Sequence, residues 1–215
     1  MRIQRDRVIA AALQLVDEGG LDGLTMRKVA EALDVKAASL YWHFENKQAL
    51  IEGMADALVE PVAREIAADQ SWEDALRQVA GELRDALRAR RDGARVYAGT
   101  YVVTDNVMRT GEAMIAACMR GGARPALAVD TAFSLLYFVL GFVMEEQALD
   151  GEGGVDLLAR EQEFRELAGK RYPSSLKAAA AIFSQDFDAR FDTGVELLVG
   201  GLAALLARRA KPRRA

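Results

Sequence analysis

Apolar residues recur at helical spacing through the first sixty positions, and short polar or glycine-rich breaks separate the runs. Apolar side chains at i, i+3, i+4 and i+7 lie on one face of an α-helix, so each run predicts one amphipathic helix. Thr25 and Asn46 stand directly before two of the runs and are suitable N-caps. Pro61 is expected to end or kink the fourth helix. The predicted helices lie at residues 4–18, 26–33 and 37–43 and from Lys47 into the sixties.

The second and third predicted helices are short, and only residues 34–36 separate them. This is the order of a helix-turn-helix, in which the second helix of the pair lies in the major groove of DNA. Residues 37–43 hold the recognition position. A helical bundle with no role in DNA binding fits the same pattern, because many helical domains contain a pair of short helices.

The rest of the chain continues in helical periodicity, without an internal repeat and without the sustained alternation typical of strands. The low number of prolines and the recurrence of alanine, leucine, arginine and glutamate favour helix. We therefore predict an all-α protein. Further helices are predicted at residues 72–90 after a Ser71 cap, 94–98, 107–119, 125–149, 173–183 and 188–209, with a candidate extra helix in the charged stretch 157–171 and a solvated basic tail, RRAKPRRA.

The helices at 125–149 and 188–208 carry apolar residues on more than one side. In the last helix, Leu198 and Leu202 belong to one apolar stripe, and Leu197 and Ala204 belong to another. A helix that is apolar on nearly all sides must be buried on nearly all sides. We therefore expect two helices from each subunit to form a four-helix dimer interface about a two-fold axis. Two central helices of a monomeric core would explain the same pattern.

Composition limits the cellular setting. Hydrophobic residues make up 51% of the chain, which is enough for a large core and argues against disorder. The single cysteine, Cys118, rules out an intrachain disulfide and fits a reducing cytoplasm. The charged beginning MRIQRDR argues against a secretory signal. The most apolar run, 132–144, is shorter than the roughly 18–20 residues that span a membrane, so we expect a cytoplasmic protein without a membrane segment.

Catalytic chemistry is not indicated by the residue types present. The only histidine, His43, lies in the predicted recognition segment, so no serine or cysteine elsewhere has a histidine to pair with. The chain also has no glycine-rich phosphate loop and no cluster of metal ligands in its sequence. We expect a protein that is not an enzyme and has no cofactor or metal.

The net charge of −4 does not exclude DNA binding. Repulsion between exposed charges is screened beyond roughly 8–10 Å at cellular salt, so a local basic patch can bind phosphates on an acidic protein. Arg27, Lys28, Lys36 and Lys47 cluster around the predicted recognition face. The first fifty residues are nevertheless balanced in charge, and this keeps open a helical dimer that binds a ligand or a protein without binding specific DNA.

The segment LTMRKVAEALDVKAASLYWHFENKQAL resembles the DNA-binding segment of the tetracycline repressor (TetR) family, with a specific LYWHF core followed by Asn-Lys. RDGARVYAGT, LGFVMEEQ and FDTGVELLVGGLAALL resemble C-terminal pieces of its tetracycline-sensing members. The resemblance is weak at 62–70 and absent at 150–172. It implies a ligand-responsive regulator, most simply a repressor, that binds a palindromic operator as a homodimer. The DNA-binding domain would be 1–46, and the ligand-binding and dimerisation domain 47–215.

The resemblance also implies the DNA contacts. Arg27 aligns with a base-reading arginine, whose fork suits the O6/N7 edge of guanine. Ser39 and Tyr41 offer hydroxyls to phosphates or base edges. Lys47 stands beside the free N–H groups of a helix N-terminus and suits a phosphate, and His43 is expected to contact the DNA backbone. The complete expected set is Arg27, Lys28, Lys36, Ala37, Ala38, Ser39, Tyr41, His43 and Lys47.

Two alanines separate this recognition segment from that of the tetracycline-sensing members. Ala37 and Ala38 stand where those proteins have a glutamine and a proline. Alanine can touch a thymine methyl group but cannot form a bidentate pair with adenine. We therefore expect a different operator. Leu40 and Trp42 are expected to pack the recognition helix against its neighbours.

The ligand site departs further from those members. There, two histidines hold the drug, one of them through a magnesium ion; the aligned residues here are Ala63 and Tyr97. Glu145 keeps the place of a glutamate that reaches the magnesium through water, but one carboxylate by itself is a poor magnesium site. We therefore expect a small, mostly apolar effector rather than tetracycline with magnesium. The expected ligand-binding residues are Val79, Leu83, Tyr97, Thr100, Met114, Cys118, Phe133, Tyr137, Met144 and Glu145. Apart from Thr100 and Glu145, they are apolar or aromatic residues at helical spacing, which also occur in packed cores.

Overall fold

The computed structural model describes residues 4–150, 156–169 and 171–210. Within these ranges the chain forms α-helices and one short 3-10 turn, Leu21–Gly23, and no strand, which confirms the all-α prediction. Most of the basic tail and of the glycine-rich stretch lies outside the described residues. The helices are α1 Arg5–Gly19, α2 Met26–Ala32, α3 Ala37–Leu40, α4 Lys47–Leu58, α5 Trp72–Arg88, α6 Gly93–Tyr97, α7 Asp105–Arg120, α8 Pro125–Asp150, α9 Leu157–Ala168, α10 Pro173–Lys177, α11 Ala179–Ile182 and α12 Phe187–Ala210.

Side-chain caps start three of the helices as the sequence predicts. The Thr25 hydroxyl accepts a hydrogen bond from the backbone N–H of Lys28 at 3.2 Å. The Asn46 side chain accepts from the N–H of Ala49 at 2.8 Å, and Ser71 accepts from the N–H of Asp74 at 3.0 Å. Each cap satisfies a backbone donor that has no partner inside its helix, and such a cap is worth about 1 kcal/mol.

The first four helices share a compact core. Val8 and Val16 of α1, Val29 of α2 and Leu40 of α3 are buried together with Leu50 of α4. The helix α4 packs on α1 at one end and on α6 of the remaining chain at the other. One helix therefore connects the N-terminal unit to the rest of the protein.

The recognition helix is shorter than predicted. It ends at Leu40, and the N–H groups of His43 and Phe44 both donate to the Leu40 carbonyl at 2.9 Å. This tightening of the last turn directs the Phe44 ring into the core, where it is 1% exposed. Gly53 of α4 approaches the ring so closely that a Cβ there would lie 2.9 Å from it. The prediction of a helix over 37–43 is therefore wrong at its C-terminal end.

The larger C-terminal unit is built around α5. This helix packs against α7, α8 and α12, and Leu76, Val79, Leu83 and Leu87 form its fully buried face. Complete burial of one such side chain contributes roughly 1.5–3 kcal/mol. The helices that flank α5 are thereby fixed relative to one another, which positions the cavity described below.

A buried ion pair joins α5, α8 and α12. Arg84 donates from Nη2 to Glu146 Oε1 at 2.7 Å and from Nε to Oε2 at 3.1 Å, and its Nη1 lies 2.8 Å from Asp188 Oδ1. The guanidinium lies over the rings of Phe142 and Phe191. Burial lowers the pKa of Arg84, but the hydrogen bonds to the two carboxylates outweigh it and raise the pKa overall. Arg84 therefore links the three helices through its ion pairs, at a contact where phenylalanine rings also pack.

The helix α8 spans Pro125–Asp150, one residue more than the predicted 125–149. By length and composition alone, residues 125–149 could cross a membrane, which corrects the expectation based on 132–144. Core helices of soluble proteins meet the same criterion, and here α8 packs on α5, α7 and α12. A Cβ on Gly194 of α12 would collide with the Phe138 ring of α8, so these two helices meet at a glycine.

One side of α12 has no cover within the single chain. Phe191, Val195, Val199 and Leu202 are buried against the C-terminal unit, whereas Leu197 is 73% exposed. The exposed side is the second apolar stripe identified in the sequence. One apolar stripe of α12 therefore packs against its own chain, and the other stripe faces outward.

Candidate DNA-binding face and effector cavity

The predicted DNA-binding residues lie on α2, on α3 with the turn after it, and at the start of α4. Arg27 is strongly exposed, and its Nε lies 2.7 Å from Glu31 Oε1. This hydrogen bond raises the pKa of Arg27. Lys28 donates from Nζ to the Gly23 carbonyl at 2.8 Å. Lys36, Ala38 and Tyr41 are exposed, and Ala37, Ser39, His43 and Lys47 are half-buried.

Trp42 corrects one expectation. Leu40 is fully buried as predicted, but Trp42 is 89% exposed and does not pack the recognition helix against its neighbours. Leu40 and Phe44 are four residues apart and point the same way, whereas Trp42 is two residues from Leu40, about 200° around a helix. That spacing is the signal in the sequence that places the indole on the outer side, beside Tyr41.

An apolar cavity lies between α6, α7 and α8. It consists of two adjoining hollows of about 210 and 340 Å³ that share Tyr97, Val107, Phe133 and Leu136. Together they are large enough for a small ligand. The inner hollow is completed by Met108, Thr110, Gly111, Glu112, Met114, Ile115 and Ala132, and the outer one by Gly99, Thr100, Tyr101, Val102, Val103, Tyr137 and Leu140.

Five of the ten predicted ligand residues line this cavity: Tyr97, Thr100, Met114, Phe133 and Tyr137. Tyr97 is nearly buried, and its pKa is raised by burial first and by the charge of Asp56 second. The Thr100 hydroxyl donates to the Tyr97 carbonyl at 2.7 Å, so it fixes the chain that leaves α6.

The other five predicted residues lie elsewhere. Val79, Leu83 and Cys118 are completely buried in the core and are outside the cavity lining. Burial raises the pKa of the Cys118 thiol to about 11. Met144 is half-buried and Glu145 is exposed, both beyond the lining residues of α8. Apolar side chains on α7 and α8 point either into the core or towards the cavity, and helical spacing does not separate these two faces.

The sequence reading missed several residues of the lining. Met108, Glu112 and Ile115 lie at i, i+4 and i+7 on α7 and form one edge of the cavity. Tyr101 and Val103 come from the extended segment between α6 and α7, and both are more than 80% exposed. The helical spacing on α7 is visible in the sequence, but nothing in the sequence assigns this edge of the helix to a cavity.

Among the described residues, no three histidine, cysteine or acidic side chains are grouped so that they could hold a metal ion.

Hydrogen bonds connect the cavity wall to α4. Asn106 of α7 donates to Asp56 Oδ2 of α4 at 3.0 Å. Arg109 of α7 donates from Nε to the Val62 carbonyl at 3.1 Å and from Nη2 to the Glu60 carbonyl at 2.6 Å. These hydrogen bonds tie α7 to the helix that begins at Lys47 and to the residues that follow it.

A second set of contacts joins α1 and the 3-10 turn after it to α6 and to the turn between α5 and α6. Arg90 pairs with Asp17 at 2.5 Å, and Arg95 pairs with Asp22 at 3.0 Å. The Asp92 carboxylate accepts from the backbone N–H of Leu21 at 2.7 Å. The N-terminal unit is thus held to the C-terminal unit both through α4 and through this polar contact.

A helix-turn-helix unit with an exposed basic and aromatic face, attached to a helical unit with an apolar cavity, defines a two-domain DNA-binding regulator. Family comparison agrees: the family model "Bacterial regulatory proteins, tetR family" matches residues 8–54, and "Tetracyclin repressor-like, C-terminal domain" matches residues 67–206. The chain belongs to the TetR family of transcriptional regulators. Its effector domain is of the tetracyclin repressor-like type.

Individual relatives support this assignment. The chain is 39% identical over 212 residues to the tetracycline repressor protein class A from transposon 1721 of Escherichia coli, covering 94% of this chain and 91% of that protein. ActR of Streptomyces coelicolor in complex with actinorhodin is 28% identical with a TM-score of 0.84, over 94% of this chain and 96% of ActR. BioQ of Mycobacterium smegmatis bound to its double-stranded DNA operator is 30% identical with a TM-score of 0.68, over 94% of this chain and 99% of BioQ.

Proposed function

We propose that this regulator is a repressor that binds a palindromic operator as a homodimer and leaves it when a mostly apolar effector fills the cavity between α6, α7 and α8. The observation that carries the proposal is the hydrogen-bonded connection from α7 to α4. The helix α7 lines the cavity, and α4 begins at the DNA-binding face. The DNA-binding unit would comprise residues 1–46 and the effector and dimerisation unit residues 47–215.

The DNA-binding face supports contact with both bases and phosphates. Arg27 can exchange its partner Glu31 for the edge of a guanine, because water screens this exposed i, i+4 ion pair and the pair contributes little. Lys47 lies at the N-terminus of α4, where backbone N–H groups and the helix dipole also favour a phosphate. Trp42 adds an exposed indole in the turn between α3 and α4. The alternative, a helical dimer without sequence-specific DNA binding, leaves this face without a role.

The homodimer is supported by the outward stripe of α12. Leu197 and Leu205 are exposed in the single chain, and the stripe also contains glycines and alanines that allow two helices to approach closely. A two-fold dimer would cover this stripe with its own copy. It would also place two recognition helices on one face of DNA, where the centres of the two half-sites lie about 34–36 Å apart.

Effector binding would act by changing that separation. An effector that binds the released conformation about 100-fold better than the DNA-bound one shifts the equilibrium by about 2.7 kcal/mol. Linkage then requires operator DNA to weaken effector binding by the same factor.

Two measurements test the proposal. Selection from a random duplex library with the purified protein is expected to recover an inverted repeat, and recovery of no enriched motif would favour the alternative. Release of that duplex by aromatic compounds, measured by fluorescence anisotropy, then tests the effector cavity.

Gly111 lines the inner hollow and has open space at its Cβ position, so Gly111→Trp is expected to fill the cavity and abolish release while DNA binding persists. Met119→Trp, at an exposed residue of the same helix outside the lining, is the matched control.

A further inference from the structure

Charge is distributed very unevenly around the effector cavity. Of the described residues that line the two hollows, Glu112 alone carries a charge, and none is arginine, lysine or histidine. The lining is otherwise aromatic, aliphatic or sulfur-containing, apart from two threonines. A ligand that enters this space therefore meets one negative charge and no positive charge to balance it.

The position of Glu112 leaves its carboxylate available. It lies on the exposed edge of α7 between Met108 and Ile115, at the rim of the inner hollow. Among the described residues it has neither an ion pair nor a hydrogen-bond partner. The basic residue nearest to it along α7, Arg109, donates instead to backbone carbonyls that follow α4.

Aromatic faces add to the attraction for positive charge. Phe133 and Tyr137 lie with ring centroids 5.6 Å apart, and both are largely exposed on the cavity side of α8. Tyr97 and Tyr101 contribute two more rings. The face of each ring carries partial negative charge, and a cation within about 6 Å of the ring centre is attracted to it.

We propose that the effector is a lipophilic organic cation, with a polycyclic aromatic body in the apolar cavity and a positively charged nitrogen at Glu112. The inference rests on the proposed function, because it takes this cavity as the effector site. A neutral ligand of the same shape would leave the Glu112 carboxylate to solvent and gain nothing from it. An anionic ligand would be repelled at the rim.

A matched pair of tricyclic probes tests the assignment on the full-length protein without DNA. 9-Aminoacridine is a cation at neutral pH, whereas acridine has the same ring system and is neutral there. Calorimetric titration is expected to give tighter binding of 9-aminoacridine. In Glu112→Gln, its affinity should fall roughly fivefold, the scale of one partly solvated charge pair, and acridine affinity should not change. Added salt should weaken binding of the cation and not of acridine.

Asp130→Asn is the control, because it removes an equal charge from an exposed residue of α8 that does not line the cavity. It should leave both affinities unchanged. Four results would overturn the proposal: no binding of 9-aminoacridine, equal binding of both probes by the wild type, unchanged cation affinity in Glu112→Gln, or an equal loss for both probes in that variant. None of them bears on operator selection, so failure here is distinguishable from failure of the proposed function.

Discussion

Asn106 of α7 donates a hydrogen bond of 3.0 Å to the carboxylate of Asp56 on α4, and this contact ties the wall of the effector cavity to the helix that starts at the DNA-binding face. The other carboxylate oxygen, Asp56 Oδ1, is buried and has no hydrogen-bond partner among the described residues. Asn106 therefore supplies the side-chain hydrogen bond that compensates the partial burial of this carboxylate.

Replacement of Asn106 by alanine is expected to lower the free energy of unfolding by about 1–3 kcal/mol, because it leaves the Asp56 carboxylate without its side-chain donor. Urea denaturation at fixed protein concentration measures the change. The double variant Asp56→Ala/Asn106→Ala should lose less than the sum of the two single variants, since each removes the same contact. Additive losses would show that the two side chains do not interact.

Loss of Glu146 should destabilise the protein much more than loss of an exposed partner. Glu146→Ala leaves the Arg84 charge buried with only the exposed Asp188 beside it, and breaking a buried pair in this way costs roughly 3–5 kcal/mol. The control is Glu196→Ala, which breaks an exposed pair with Arg77 and should cost far less, because water screens that pair. Equal losses in thermal or urea unfolding would contradict the structural role given to the buried pair.

Arg27 and Lys47 should affect DNA binding in different ways. Arg27→Ala is expected to relax the choice at one base by roughly 1–3 kcal/mol, because its fork reads a base edge. Lys47→Ala should weaken all sequences alike and reduce the salt slope by about one unit, because it loses a phosphate contact. Anisotropy titrations against the selected operator and its single-base variants, at several salt concentrations, separate the two effects. Intact affinity and base preference in Arg27→Ala would remove it from the interface.

Leu197 is the residue of choice for testing the dimer. It is 73% exposed in the single chain, so Leu197→Glu should leave the fold intact and place a charge in the proposed subunit interface. Sedimentation is expected to show a folded monomer at micromolar concentration, against a dimer for the wild type. Leu202 is less informative because it is buried within its own chain. A wild-type monomer would contradict the homodimer, and an unaffected dimer in Leu197→Glu would place the interface elsewhere.

Tetracycline with magnesium should not bind tightly. The family resemblance places Tyr97 and Ala63 where the tetracycline-sensing members have their histidine ligands. Among the described residues, no three acidic, histidine or cysteine side chains are grouped so that they could hold a metal ion. One carboxylate would have to hold the magnesium without an imidazole. Calorimetry with tetracycline in the presence of magnesium and then of a chelator checks this directly. Tight binding that disappears with the chelator would reverse the assignment of the pocket.

The sequence by itself determined that the chain is all-α and that two short helices follow one another in helix-turn-helix order, although α3 and α4 end earlier than predicted. Thr25, Asn46 and Ser71 act through backbone groups only three residues away, so local sequence is enough to set these helix starts. The buried stripes of α1 and α2 follow the 3.6-residue period for the same reason. The outward stripe of α12 was also visible, because it is the excess of apolar residues that one chain cannot cover.

Only the tertiary structure decided which apolar residues form the cavity. Leu83 and Phe133 are both apolar residues at helical spacing, yet the first is sealed in the core and the second lines the hollow. The difference depends on how α5, α7 and α8 pack, which involves residues far apart in the chain. Nothing in the sequence distinguishes Glu112 from other charged residues on helix surfaces, and only the fold places it at the rim of the inner hollow. Helical periodicity tells which side of a helix is apolar, whereas the neighbouring helices determine whether that side meets a packed core, a ligand or a second subunit.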